Sequence, residues 1–340
     1  MKNIFNETLE SLENTLVESG FKAFSARQIF DWMYKKDIRD FYEMTNISKD
    51  LRAFLSSHYT FGNIDIFTKQ YSSDGTRKYL FKLSDGHLIE SVLMAHDYGK
   101  SLCITTQVGC NIGCSFCASG LLKKIRNLSV AEMVMQVLEV QKEAKVRVSH
   151  VVIMGTGEPF DNYDNVMKFI DVINSPYALE IGARHITIST SGIVPKIVQF
   201  SEESKQVNLA ISLHAPTNEL RSKLMKINDV YPLEALMKSV KQYVAKTNRR
   251  VTFEYILLQD INDSIEYADA LSDLLRGLNC YVNLIRYNAV DEFSYEPTEE
   301  DSANRFYQRL LKRGIQATLR REMGADIDAA CGQLRTKKTI

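Results

Sequence analysis

Over residues 1–60 apolar positions recur at helical spacing. Leu9, Leu12, Leu16 and Val17 predict a helix over 7–19. Ser25 is expected to cap a second helix, with Ile29, Phe30, Trp32 and Met33 on its apolar side, and Ser48 a third, with Leu51, Phe54 and Leu55. The pattern then changes. Stretches 76–83 and 87–94 alternate about the turn signal Asp85-Gly86, and 100–107 reads as a further strand. From 128 onward helix and strand alternate. Helices are expected at 129–144, 163–174, 194–203, 233–246 after Pro232, 264–276 and 298–313. The strands between them fall at 149–154, 184–190, 207–213, 251–258, 281–287 and 315–321. Repeated βα units imply an α/β fold with a mainly parallel sheet, rolled by right-handed crossovers into a full or partial barrel. The expected organisation is a helical accessory domain at 1–60, a β-meander linker at 61–98 and a core at 99–340. Chemistry in such a core sits on the loops after the strands.

Hydrophobic residues make up 45% of the chain and charged residues 25%, a globular composition. There is no apolar run near the roughly 20 residues of a membrane helix, and residues 1–7 lack a signal-peptide core. A cytoplasmic protein with no membrane partner is expected. Lys plus Arg and Asp plus Glu both number 42, so net charge gives none of the basic excess of nucleic-acid binders. Basic clusters at 123–126, 246–250, 320–321 and 335–338 fit either local patches or solvated helix ends.

Four of the six cysteines fall between positions 103 and 117, which points to ligation or redox chemistry rather than structural disulfides. Cys110, Cys114 and Cys117 are spaced C-x3-C-x2-C. A regular helix would align them as a core stripe, but Gly109, Asn111 and Gly113 favour a loop that can wrap a metal cluster. A structural zinc site wants four ligands, and three are local. A [4Fe–4S] cluster normally takes four thiolates, so three would leave one iron open to a substrate. Further along, Gly157 and Glu158, then Ser189, then Ser212-Leu213-His214, then Asn288 fall at expected strand ends.

The cysteine spacing resembles the signature of the radical S-adenosylmethionine superfamily, in which a cluster-bound cofactor is cleaved to a 5′-deoxyadenosyl radical. Glu90 with stretches 103–110, 154–159, 189–192, 212–214 and 326–334 resembles the RlmN/Cfr family of RNA methyltransferases over nearly the whole chain. That resemblance implies a radical SAM partial (β/α) barrel with a [4Fe–4S] cluster on Cys110, Cys114 and Cys117. It implies S-adenosylmethionine contacts from Gly157, Glu158, Ser189, Ser212, Leu213, His214 and Asn288. It further implies methylation of adenine C2 in 23S rRNA at the peptidyl-transferase centre, and of the adenine 3′ to the anticodon in tRNA. The implied enzyme is a monomer fed by a one-electron reductant of flavodoxin or ferredoxin type. Cys331 would carry the methyl group as methylcysteine, and Cys103 would free the product through a transient disulfide. Glu90 would accept the ring proton, a task open also to Cys103. From the residues alone, Cys103 and Cys331 are equally a pair of small buried hydrophobes, Glu90 a strand carboxylate and Cys280 a core residue. Stretch 283–288, with Arg286, is closer to family members that methylate C8. A non-catalytic RNA-binding protein whose cysteines hold zinc is the alternative from another class.

Overall fold

The computed structural model describes residues 1–334; the basic stretch at 335–338 lies outside the described residues. The N-terminal periodicity folds as α1 (Leu9–Glu18), α2 (Ser25–Phe30) and α3 (Lys49–His58). Ser48 caps α3 by accepting from the Leu51 N–H, as expected. Ser25 does not cap α2. The chain is already helical at Phe24, and Ser25 is buried inside the first turn. A π-turn over Asp31–Lys35 prolongs α2 and carries Trp32 and Met33.

The main sheet has ten strands, and their order in space is their order in the chain. The antiparallel wing is β1 (Asp65–Tyr71), β2 (Arg77–Lys82), β3 (Leu88–His96) and β4 (Gly99–Cys103). From β4 onward every pairing is parallel. The strands are β5 (His150–Ile153), β6 (Ile186–Thr190), β7 (Asn208–Ser212), β8 (Val251–Leu257), β9 (Cys280–Arg286) and β10 (Ala317–Leu319). The β-rich segment is thus one edge of the same sheet. The strand expected at 100–107 ends at Cys103, because the chain leaves the sheet there. Gln107-Val108 pairs instead with Arg126-Asn127.

The crossover helices cover one face. They are α4 (Val130–Ala144), α5 (Tyr163–Asn174), α6 (Val194–Phe200), α7 (Asn218–Leu224), α8 (Ile227–Val230), α9 (Leu233–Thr247), α10 (Ile265–Leu275) and α11 (Glu300–Lys312). Pro232 is the residue before α9 rather than its first helical position. Against the helices Val151, Ile153, Ile186, Ile188 and Ile211 are fully buried. The alternate positions Thr187, Ser189, Asn208, Thr252 and Asn283 are only partly buried. Fully covered parallel sheets are apolar on both faces; the polar second face here lines a cleft. No helix among the described residues is long and apolar enough to cross a membrane.

Helix α4 begins with a capping box, in which the Ser129 side chain accepts from the Glu132 N–H and the Glu132 carboxylate accepts from the Ser129 N–H. Ser129→Ala removes one half of it. A loss of about 1 kcal/mol is expected, read as a lower urea midpoint at unchanged slope.

Candidate active site

After β4 the chain turns through the cysteine loop. Gly109 has φ +78°, and a Cβ there would lie 2.2 Å from the Lys123 carbonyl oxygen, so only glycine lets the two strands of the loop close. The closure is sealed by the Cys110 N–H donating to the Leu122 carbonyl at 2.8 Å. The Lys124 N–H donates to Asn111 Oδ1 at 3.0 Å. Cys110, Cys114 and Cys117 all border one cavity of about 160 Å³, together with Gly157, Glu158, Ser189, Ser212 and His214. Burial pushes all three thiols up. The neighbouring thiolates push Cys114 further. Three soft donors in that condition are stabilised as thiolates by bound metal. Among the described residues, no three His, Cys, Asp or Glu side chains converge on a site for a single metal ion. A cluster needs no such convergence, because each thiolate binds its own iron.

The loops after β5, β6 and β7 are locked by two buried charges. Glu158 accepts from the Ser191 N–H at 2.7 Å and the Phe160 N–H at 2.9 Å. Arg221, fully buried on α7, donates to the carbonyls of Ser191 at 2.6 Å and Leu213 at 3.2 Å. The Arg221 hydrogen bonds found among the described residues go to carbonyls and to Asn228, none to a carboxylate. Burial lowers its pKa to about 10, and the nearby Cys114 opposes that shift. A buried guanidinium beside the thiols suits an anionic cluster, so the donor set fits the group that the cysteine spacing suggested. Gly157, φ +108°, lets the loop pass Gln107, whose side chain would stand 2.6 Å from an added Cβ. Gln107 Oε1 accepts from the Glu158 N–H, tying the two loops together.

The other expected cofactor residues divide. Ser189 Oγ and Ser212 Oγ meet at 3.3 Å on the cavity wall. The Leu213 side chain is fully buried, so only its backbone is available to a ligand. His214 Nδ1 accepts from the Ile256 N–H at 3.0 Å, which leaves the ring proton on Nε2. Asn288 donates to the Cys331 carbonyl at 3.2 Å.

Cys331 arrives on a segment after β10 that folds back over the sheet. Asp326 accepts from the Ser73 N–H, and Lys78 Nζ donates to the Asp328 carbonyl. The Ala118 N–H donates to the Gly332 carbonyl at 2.8 Å. Cys331 and Cys103 then border a second cavity, of about 80 Å³. Arg320 Nη1 stands 3.6 Å from Cys331 Sγ. Cys331 is exposed, whereas burial pushes the Cys103 thiol up to about 12, a shift that the Cys331 charge adds to and Arg320 opposes. Glu90 does not border these cavities. It is buried on β3 and paired with Lys78 Nζ at 3.3 Å. Arg286 donates to the Thr298 carbonyl and pairs with Glu322.

Sequence reasoning missed Arg221, Gln107 and Arg320. Arg221 lies on a helix too short to show periodicity, and the other two sit in stretches read as strand. The site also carries a pH signature. Burial, with Arg221 nearby, lowers the His214 pKa from 6.5 to about 3. The unfolded chain therefore takes up this proton first, and stability present above about pH 6.5 is lost as pH falls toward 3. In His214→Asn, whose Oδ1 still accepts from Ile256, urea midpoints should fall less steeply between pH 6.5 and 4 than in the parent, within about that window.

Comparison with known proteins agrees with this geometry. A family model described as "Radical SAM superfamily" matches residues 104–271, and one described as "Ribosomal RNA large subunit methyltransferase N-terminal domain" matches 2–60. The chain is 55% identical over 334 residues to a protein of Acholeplasma laidlawii described as a probable dual-specificity RNA methyltransferase RlmN, covering 98% of this chain and 99% of that one. It is 56% identical over 340 residues to a Spiroplasma citri protein of the same description, covering 99% and 98%. The crystal structure of a radical SAM methyltransferase from Sphaerobacter thermophilus superposes with TM-score 0.92 at 42% identity, over 98% of this chain and 99% of that one. With such identity sustained from end to end, the chain belongs to the RlmN family of radical SAM RNA methyltransferases.

Proposed function

We propose that this chain methylates adenine C2 in 23S rRNA and in the adenine 3′ to the anticodon of tRNA, through a methylcysteine at Cys331. The observation that carries this is that two cysteines distant in sequence, Cys103 and Cys331, share one cavity beside the cysteine loop. Adenine C2 is not nucleophilic, so it cannot attack a sulfonium methyl group directly, and a carrier thiol answers that need. Cys110, Cys114 and Cys117 would hold the [4Fe–4S] cluster. Glu158, Gly157, Ser189, Ser212, His214 and the Leu213 backbone would hold S-adenosylmethionine, with Asn288 adjoining. When bound, the cluster gives one electron to the cofactor and so supplies a 5′-deoxyadenosyl radical.

The chain's own thiols divide the remaining work by environment. Cys331 is exposed, with its sulfur 3.6 Å from the Arg320 guanidinium, so a methyl donor can reach it. Cys103 is half-buried, and desolvation raises its pKa to about 12, which keeps it a thiol and protects it from the same methyl donor. It is then available to give up its proton and attack the Cys331 sulfur. An S–S bond forms, the bond from Cys331 sulfur to the transferred carbon breaks, and that carbon keeps the electron pair and takes up a proton as the product methyl group. Glu90 acts through Lys78, which holds the Asp328 carbonyl three residues before Cys331. Glu90→Gln is therefore expected to slow methylation while leaving the Cys331 methyl group able to form. A complete loss of RNA methylation with Cys331 fully methylated would favour Glu90 as the proton acceptor.

The test is anaerobic turnover with reductant, methyl-labelled S-adenosylmethionine and a ribosomal RNA transcript, the digested nucleosides being read by mass spectrometry. Labelled 2-methyladenosine is expected, from protein holding about four iron atoms per chain. Cys331→Ala should keep its iron and lose RNA methylation. Cys103→Ala should accumulate RNA bound to protein. Labelled 8-methyladenosine alone would move the reaction to C8, and zinc in place of iron would refute the radical mechanism.

A further inference from the structure

The cofactor residues and the two reactive cysteines leave the space beneath them unassigned. The polar face of the sheet encloses an open cleft of about 1110 Å³, with Arg184, Arg249 and Arg250 among its lining residues. Arg320 and Met154 border this cleft and both upper cavities. Glu254 borders the cleft and the cofactor cavity. These three residues thus lie where the cleft with its basic mouth adjoins the upper cavities, a junction termed the neck.

Glu254 is the anomaly of that neck. It sits in mid-β8, opposite Ser212 on one side and Asn283 on the other. It is only 5% exposed. Its Oε1 accepts from Asn283 Nδ2 at 3.0 Å, while Oε2 has no hydrogen-bond partner among the described residues. Burial pushes its carboxyl up, against the opposing pull of Arg320 and Asn283. A buried acceptor without a donor is rare in native structures and calls for an explanation. A donor that arrives with the substrate supplies one.

A base that reacts at Cys331 from the cleft has to pass through this neck. Adenine presents an amino donor at N6, whereas hypoxanthine and guanine present an oxygen at the corresponding position. We propose that Glu254 Oε2 accepts a hydrogen bond from the exocyclic amino group of the target adenine, making Glu254 the residue that distinguishes adenine from 6-oxopurines. This rests on the RNA-adenine reading above. A 6-oxopurine would set its oxygen against the carboxylate and leave both acceptors unpaired, which is how a polar site rejects an isostere. The hydroxyls of the cofactor's ribose are the rival donors. The base is favoured because Glu254 opens onto the cleft as well as the cofactor cavity, whereas Ser189 and Ser212 border the cofactor cavity without bordering the cleft.

The experiment uses anaerobically reconstituted holoenzyme without reductant, so that binding is measured without turnover. The probes are a tRNA anticodon stem–loop with adenosine 3′ to the anticodon, and the same RNA with purine riboside there, which lacks the amino group. Wild type should prefer adenosine by about ten-fold or more. Glu254→Gln keeps the side-chain volume and an oxygen for Asn283 but turns a donor toward the base. Its preference should collapse to within about two-fold, with S-adenosylmethionine affinity changed by less than about two-fold. Glu254→Ala should lose the same preference, which separates lost recognition from a misplaced amide. A preference retained in both variants overturns the proposal. Weakened S-adenosylmethionine binding with the adenosine preference intact also overturns it, and assigns Glu254 to the ribose. Adding reductant to wild type identifies the deeper failure: RNA methylated at the adenosine, with no preference carried by Glu254, overturns this inference alone. RNA left unmethylated overturns the substrate reading and this inference with it.

Discussion

The site depends on one residue, Ser191, whose two flanking peptide groups are held by opposite charges. The N–H of Ser191 donates to the Glu158 carboxylate, and its C=O accepts from the Arg221 guanidinium. Both side chains are buried, and a buried charge is tolerated only when its hydrogen bonds are satisfied. Each charge is satisfied largely by backbone from a neighbouring loop. Removing either would leave the other loop's polar groups unpaired in a dry interior. The loops after β5, β6 and β7 consequently hold one another, and the walls of the cofactor cavity are set before any ligand arrives.

The same economy of environment separates the two reactive thiols. They are chemically identical side chains on one cavity, and their difference lies in what surrounds them. Cys103 is enclosed by the sheet, where the charged form is penalised. Cys331 is itself exposed, on a segment whose neighbouring residues are buried, and it stands beside a cation. That segment is held by side chains from the antiparallel wing, the cysteine loop and the end of β9, so its position reports on all three. The antiparallel wing therefore serves the chemistry as an anchoring surface, which explains why it is continuous with the barrel sheet.

Much of this was legible in the sequence because strong local signals coincide with function. The alternation of helix and strand, the Ser48 cap and the glycine-rich cysteine loop all follow from residue chemistry over a few positions. The unread parts share a different cause. Strand β1 is exposed at nearly every position and lies at the sheet edge, so it shows no alternation to detect. Ser25 has the right chemistry for a cap, but helical geometry begins one residue earlier. Glu254 interrupts an apolar strand by one residue, and whether it faces helix or cleft is decided by pairing to β7 and β9. Arg221 owes its role to carbonyls from two separate loops. Stretch 100–107 shows the limit from the other side, since its composition suits a strand and the departure toward the cysteine loop ends it.

The order of strands has a temporal meaning as well. Every strand of the sheet lies beside the one synthesised immediately before it. A chain emerging from the ribosome can thus add strands one at a time, each against an edge already exposed, with no strand waiting for a partner made much later. Loop closures stay local, which is the regime of fast and orderly folding. The cysteine loop, the Glu158 turn and Arg221 are all translated before β8. The segment bearing Cys331 comes after all ten strands, and it is also the piece that covers the cavity. Translation therefore delivers the nucleophile only after the chamber that will confine it has been built.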